Sequence, residues 1–262
     1  MPENSTRGRF IWYDLMTPDP EAAKAFYTAV MGWGTQVWEN PGMSYTMWTV
    51  GDRTIGGIMK LPDEAVAGGA QPHWLAYVTV PDVDATVARA QELGAKVMVP
   101  PTPIPTVGRF SVIADPQGAL IAPYTPDNLG PEPEGMPPVG DFTWHELATT
   151  DAEAAFDFYH DLFGWEKTSA MDMGPDGVYQ MYGRNGTTLG GIYKKPAQAP
   201  GPPAWIHYAR VADVNAAVET VRQQGGQVIN GPMEVPGGDL IANVLDPQGG
   251  LFAVHEKKSA QA

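Results

Sequence analysis

Two carboxylates occupy matched places in this chain. Asp14 stands two residues past Trp12, and Glu146 stands two past Trp144. The openings Trp12-Tyr13-Asp14-Leu15 and Trp144-His145-Glu146-Leu147 alternate as strands do. Trp12, Asp14 and Met16 then share one face, as do Trp144, Glu146 and Ala148. A partly buried carboxylate has its charged form disfavoured, which raises its pKa toward the range useful for proton transfer near neutrality. Asp14 and Glu146 are therefore candidate catalytic groups, as general bases or as acceptors that orient a ligand hydroxyl or amine. The same groups could instead be structural anchors for backbone amides or Trp indoles.

Aromatic and polar residues on the same faces complete a candidate ligand site. Trp12, Trp48, Trp144 and Tyr182, with Met47 and Met181 nearby, offer apolar walls. Tyr77, Tyr208 and Arg210 lie on the second strands of the pattern. Tyr124 and His255 lie at the ends of its last strands, where a rim contact is expected. The planar fork of Arg210 could hold a ligand carboxylate or phosphate, or pair with Glu146. Such walls with a few polar groups suit a planar or apolar small molecule. His145 and His207 fall on the opposite face and read as core histidines. His73 precedes its strand, and His160 sits on a helix as a solvent-exposed residue.

Composition removes several alternatives. With no cysteine, there is no thiolate metal site, disulfide or thiol nucleophile. A net charge of -14 with no basic cluster argues against nucleic acid or an anionic membrane as partner. No phosphate-binding glycine loop, dinucleotide fingerprint or serine-nucleophile elbow is present. The polar N-terminal residues and the lack of a long apolar run predict a cytoplasmic protein without a membrane span.

The elements that must position these residues come from an internal repeat. Phe10–Trp33 and Phe142–Trp165 share twelve of 24 residues at an offset of 132. The match continues through Gly56-Gly57-Ile58 with Gly190-Gly191-Ile192. It extends to Asp115-Pro116-Gln117-Gly118 with Asp246-Pro247-Gln248-Gly249. Two domains, 8–126 and 140–257, are joined by a proline-rich linker over 127–139. Within each half the order strand, helix, three strands runs twice. Asp19, Asp82, Asp151 and Asp213 stand at the helix starts, and Gly32, Gly94 and Gly164 at helix ends. In the first half, strands are expected near 35–39, 44–50, 54–60, 96–99, 109–114 and 119–124.

This pattern resembles the vicinal oxygen chelate superfamily of glyoxalases, bleomycin-resistance proteins and extradiol dioxygenases. More narrowly, it is similar to a two-domain actinobacterial glyoxalase-like group. The carrying motifs are Asp19…Phe26-Tyr27…Gly32-Trp33, Asp151…Phe158-Tyr159…Gly164-Trp165 and the two Asp-Pro-Gln-Gly turns. The resemblance implies an α+β fold of two tandem domains, each with two βαβββ units rolled into a cupped mixed sheet. It also implies metal-ligand positions, which fall on Trp12, Leu75, Trp144, Ile206, Ala122 and Ala253 and near Gly57–Met59 and Gly191–Tyr193. None carries a His, Asp or Glu, so no metal and no cofactor is expected. The expected function is metal-independent binding of a small apolar or aromatic molecule, for sequestration, resistance or sensing. The alternative is a lyase, isomerase, hydroxylase or dioxygenase. It would use Asp14 and Glu146 as acid–base groups, or a metal site one residue out of the register assumed. A monomer or a homodimer fits the duplicated chain.

Overall fold

Each half opens with a strand that runs into an aspartate, and the aspartate starts a helix. In the first half the elements are β1 (Phe10–Thr17), α1 (Pro20–Met31), β2 (Gly34–Asn40), β3 (Met43–Val50) and β4 (Arg53–Lys60). They continue with α2 (Asp63–Ala67), β5 (His73–Thr79), α3 (Val83–Glu92), β6 (Lys96–Ile104), β7 (Gly108–Ala114) and β8 (Leu120–Pro126). The second half has β9 (Phe142–Thr149), α4 (Ala152–Phe163), β10 (Glu166–Asp172), β11 (Val178–Arg184) and β12 (Thr187–Lys194). It ends with β13 (Ala204–Arg210), α5 (Val214–Gln223), β14 (Gln227–Glu234), β15 (Leu240–Leu245) and β16 (Leu251–Glu256). This computed structural model describes residues 6–40, 43–132, 135–199 and 201–258. Residues 133 and 134 of the expected linker lie outside them.

The caps are local chemistry. The Asp19 carboxylate accepts from the amides of Glu21 and Ala22, while Pro20 sits where no amide hydrogen is needed. Asp82, Asp151 and Asp213 cap their helices on Ala85, Ala154 and Ala216. Gly32 and Gly164 end α1 and α4 with φ of 69°, a left-handed conformation that suits glycine. The short α2 was not expected. β6 runs past its expected end at residue 99, through Pro100, Pro101 and Pro103. It lies at a sheet edge, where missing amide donors cost no ladder bond.

Two eight-stranded sheets result, ordered β2-β3-β4-β1-β5-β8-β7-β6 and β10-β11-β12-β9-β13-β16-β15-β14. The pairs β1–β4 and β9–β12 are parallel, with Asp14 opposite Gly57 and Glu146 opposite Gly191. No described helix is long and apolar enough to cross a membrane.

The chain divides into two compact units, and neither coincides with a sequence half. Unit one takes Met1–Trp12, Leu75–Pro133 and Trp144–Trp205; unit two takes Tyr13–Trp74, Glu134–Thr143 and Ile206–Ala262. Each unit therefore combines parts of both halves.

The repeated motif residues hold each unit together. In unit two, the Trp74 indole donates to the Tyr27 hydroxyl at 3.1 Å, and Tyr27 donates to Asp246 at 3.0 Å. The other Asp246 oxygen accepts the amides of Gln248 and Gly250. In unit one, Trp205 donates to Tyr159 at 3.1 Å and Tyr159 to Asp115 at 2.8 Å. Asp115 accepts the amides of Gln117, Gly118 and Ala119. The last motif residues, Trp33 and Trp165, are buried and donate to the carbonyls of Gly140 and Gly8, each at 2.8 Å. The Phe-Tyr…Gly-Trp pattern is thus a packing signature: large aromatic bodies in the core, each polar tip supplied with a partner.

Candidate functional site

Strand register decides which side chains can meet. In the first half, Asp14, Gly57 and Met47 align across β1, β4 and β3, while Tyr13, Gly56 and Trp48 align one residue over. In the second half, Glu146, Gly191 and Met181 align, and His145, Gly190 and Tyr182 form the neighbouring row. Adjacent rows face opposite sides of the sheet. Trp48 and Tyr182 therefore point away from the carboxylates, which corrects their expected place on the ligand wall. Trp48 is fully buried against Tyr27, Trp33 and Trp74. Tyr182 is fully buried against Trp165 and Trp205, with its hydroxyl on the His145 carbonyl at 3.0 Å.

The partners of the carboxylates are tyrosines that the sequence reading missed. Tyr45 reaches across β4 and donates its hydroxyl to Asp14. Tyr179 does the same across β12, donating to Glu146 at 2.8 Å, and it accepts the Trp144 indole N–H at 2.8 Å. The Tyr193 ring stacks on Tyr179, with centroids 5.9 Å apart. Burial, and then the charge of Glu146, push the Tyr179 and Tyr193 hydroxyls well above their ordinary pKa, so both stay protonated and remain donors. Asp14 and Glu146 are themselves buried, at 3% and 9% exposure. The signal for the tyrosines was present. Tyr45 and Tyr179 are separated by 134 residues, as are Gly57 and Gly191.

Those glycines make the reach possible. A β-carbon on Gly57 would overlap the Tyr45 ring, and one on Gly191 would overlap the Tyr179 ring. Gly191→Ala should therefore push Tyr179 off Glu146 and cost about 1–3 kcal/mol by overpacking. Thermal unfolding of Gly191→Ala with and without Tyr179→Ala measures this. The cost should shrink when the ring is absent, and an equal cost in both backgrounds would refute the steric account.

Residues 9–122 and 142–254 each match the family model of the glyoxalase/bleomycin resistance protein/dioxygenase superfamily. The chain belongs to this superfamily. Its two halves are tandem glyoxalase-fold domains of α+β type. It is 34% identical over 262 residues to CFP32 of Mycobacterium tuberculosis, a protein named as a candidate glyoxylase, with 97% of each chain covered. It is 30% identical over 262 residues to the anthracycline biosynthesis protein DauV of Streptomyces sp. strain C5, covering 95% of this chain and 93% of DauV. The Mn(II)-bound glyoxalase of Novosphingobium aromaticivorans shares the fold with a TM-score of 0.63 at 17% identity, covering 97% of this chain and 83% of that one.

Glyoxalase-superfamily metal sites need several oxygen or nitrogen donors around one ion. The residues here do not fit that demand. Leu75 and Ala122 belong to an apolar cluster with Tyr77, Val112 and Tyr124, against which Trp12 packs. Ala253 is fully buried, and the Gly57 and Gly191 positions are roofed by tyrosine rings. Among the described residues, no three His, Asp or Glu side chains come together in a metal-binding group.

The remaining predicted residues are placed as follows. The Tyr77 ring packs edge-on against Tyr124, whose hydroxyl donates to the Val107 carbonyl at 2.9 Å. Tyr208 is buried, and its carbonyl accepts from Thr143 at 3.3 Å. Arg210 donates from Nη1 to the Pro137 carbonyl at 2.7 Å, and lies opposite His255 in the β13–β16 register. Arg210 belongs to unit two and Glu146 to unit one. His145 is a core residue that stacks on Phe10 at 3.8 Å. A cavity of about 250 Å³ in unit one is lined by Arg7, Phe163, Gly164, Glu166, Arg184 and Asn185, none of them a predicted site residue.

Proposed function

We propose that this protein binds a small, largely aromatic organic molecule without a metal, and that Glu146 with Tyr179 and Trp144 is the principal recognition point. The observation that carries this reading is the continuous chain from the Trp144 indole through the Tyr179 hydroxyl to the Glu146 carboxylate. It is built over a glycine where metal-using relatives are expected to place a ligand. A carboxylate has about four lone-pair directions, so it can accept from a ligand hydroxyl or amine while holding Tyr179. The aromatic rings of Trp144, Tyr179 and Tyr193 supply flat apolar surface beside it. The name of the Streptomyces relative supports a planar polycyclic phenol or quinone as the ligand class. Asp14 with Tyr45 is the corresponding point in the first half.

A titration of Trp fluorescence with a hydroxyanthraquinone tests the reading. Saturable quenching is expected from tag-free protein holding less than one metal ion per chain. Glu146→Gln should weaken binding roughly 10- to 100-fold, the worth of a charge-assisted hydrogen bond of about 1.5–3 kcal/mol. Unchanged affinity in Glu146→Gln, or binding lost on chelation of a stoichiometric metal, would sink it.

A second reading is favoured by the same carboxylates. Burial beside tyrosine donors is the setting in which a carboxylate can act as a general base, here on an acidic carbon or phenol of the bound molecule. Turnover of the ligand that disappears in Glu146→Gln while binding persists would select catalysis over sequestration.

A further inference from the structure

A second constellation lies apart from these carboxylates, in unit two. Thr143 of β9 is half-buried, and its hydroxyl lies 2.7 Å from Nδ1 of His255 on β16. His255 Nε2 lies 3.1 Å from Oδ2 of Asp239, in the turn that leads into β15. Asp239 also receives the Lys257 ammonium at 2.9 Å and the Lys258 amide at 3.0 Å. These donors hold its carboxyl below the usual range against the opposing effect of burial. With its hydrogen on Nε2, the ring donates to Asp239 and leaves Nδ1 as an acceptor. The Thr143 hydroxyl, which donates to the Tyr208 carbonyl at 3.3 Å, can turn its hydrogen to Nδ1 at 2.7 Å. The order hydroxyl, imidazole, carboxylate is the one an activated nucleophile requires.

The fold does not demand this arrangement. The repeat places Ile11, Tyr124 and Gly108 at the matching positions of the first half, and the same sheet forms there. Arg210 faces His255 across β13 and β16, and its Nε is buried with no hydrogen-bond partner among the described residues. A buried donor next to His255 in the sheet is available to an oxygen that gains negative charge.

We propose that Thr143, His255 and Arg210 form an acyl-transfer site for small carboxylic esters, with Asp239 as the positioning residue for His255. The Thr143 oxygen forms a bond to the ester carbonyl carbon as its proton passes to His255 Nδ1. Arg210 Nε–H donates to the carbonyl oxygen while it is anionic. The bond to the leaving alcohol then breaks, and that oxygen takes the proton from His255. Water then bonds to the acyl carbon as His255 takes its proton, the bond to Thr143 Oγ1 breaks, and His255 returns the proton to that oxygen, freeing the acid.

The test uses the full-length protein and p-nitrophenyl acetate, followed by acid quenching and peptide mass mapping. One acetyl group per chain on Thr143 is expected, with a burst of nitrophenolate. Thr143→Val should abolish both, and Thr143→Ser should retain them and keep the adduct at residue 143. Asp239→Asn should lower the acylation rate roughly 10²- to 10⁴-fold with KM unchanged. Acetyl groups only on lysines, or wild-type release by Thr143→Val, would overturn the proposal.

Discussion

Asp246→Ala is expected to lower the free energy of unfolding by about 3–5 kcal/mol, because removing one partner of a buried polar network leaves the others desolvated and unmatched. Asp246 is 3% exposed and accepts two turn amides together with the Tyr27 hydroxyl. Burial raises its pKa, while the backbone amides and Tyr27 pull it back. The substitution strands two amides of the Asp-Pro-Gln-Gly turn and the Tyr27 hydroxyl, which itself carries the Trp74 indole. Asp246→Asn keeps an oxygen for the amides and should cost about half as much. Asp115→Ala should behave alike, since Asp115 serves three amides and Tyr159 in unit one. Urea denaturation followed by Trp fluorescence measures both. A loss below about 1 kcal/mol in either variant would show that solvent or a local shift rescues the turn.

Acid should destabilise the protein through His207. This ring is fully buried, packs edge-on against Tyr13 at 5.4 Å and Phe142 at 6.2 Å, and has its pKa pushed down by desolvation to about 3 from 6.5. The folded state therefore favours neutral His207, while the unfolded chain takes a proton near pH 6.5. The stabilising contribution is fully present above pH 6.5 and is lost as pH falls toward the folded value. Each pH unit within that window costs up to about 1.4 kcal/mol, so a few units rival the whole stability of an ordinary domain. Asp115 and Asp246 act in the opposite sense. Their pKa values are raised, so their contribution is fully present below the ordinary aspartate range and lost as pH rises through the folded value. Between pH 6.5 and 5 the histidine effect should be the steeper. His207→Gln should flatten the fall of stability over this interval, and a slope equal to that of the parent protein would remove His207 as its source.

The two halves of the candidate site were unequally legible. Asp14 and Glu146 stood out because each sits on a short alternating strand next to a repeated Trp, a pattern carried by neighbouring residues. Their tyrosine partners arrive from another strand, across a glycine that offers no side chain to notice. Trp48 and Tyr182 were assigned to the wrong face, because the face depends on the pairing of β3 with β4 and of β11 with β12. Both pairings carry a register shift beside these residues, between Trp48 and Thr49 and between Tyr182 and Gly183. Such an irregularity reverses the count of alternate positions.

The amino-acid order alone was enough for the duplication, the four βαβββ modules, the aspartate caps, the glycine helix ends and the matched carboxylates. These depend on contacts within a few residues or on direct comparison of one half with the other. Only the tertiary structure could show that each compact unit draws on both halves through Tyr27–Asp246 and Tyr159–Asp115, that tyrosine rings roof Gly57 and Gly191, and that Thr143, His255 and Asp239 meet. Those contacts join residues far apart in the chain. Their formation is governed by strand register and by which module packs against which, and no local periodicity carries that information.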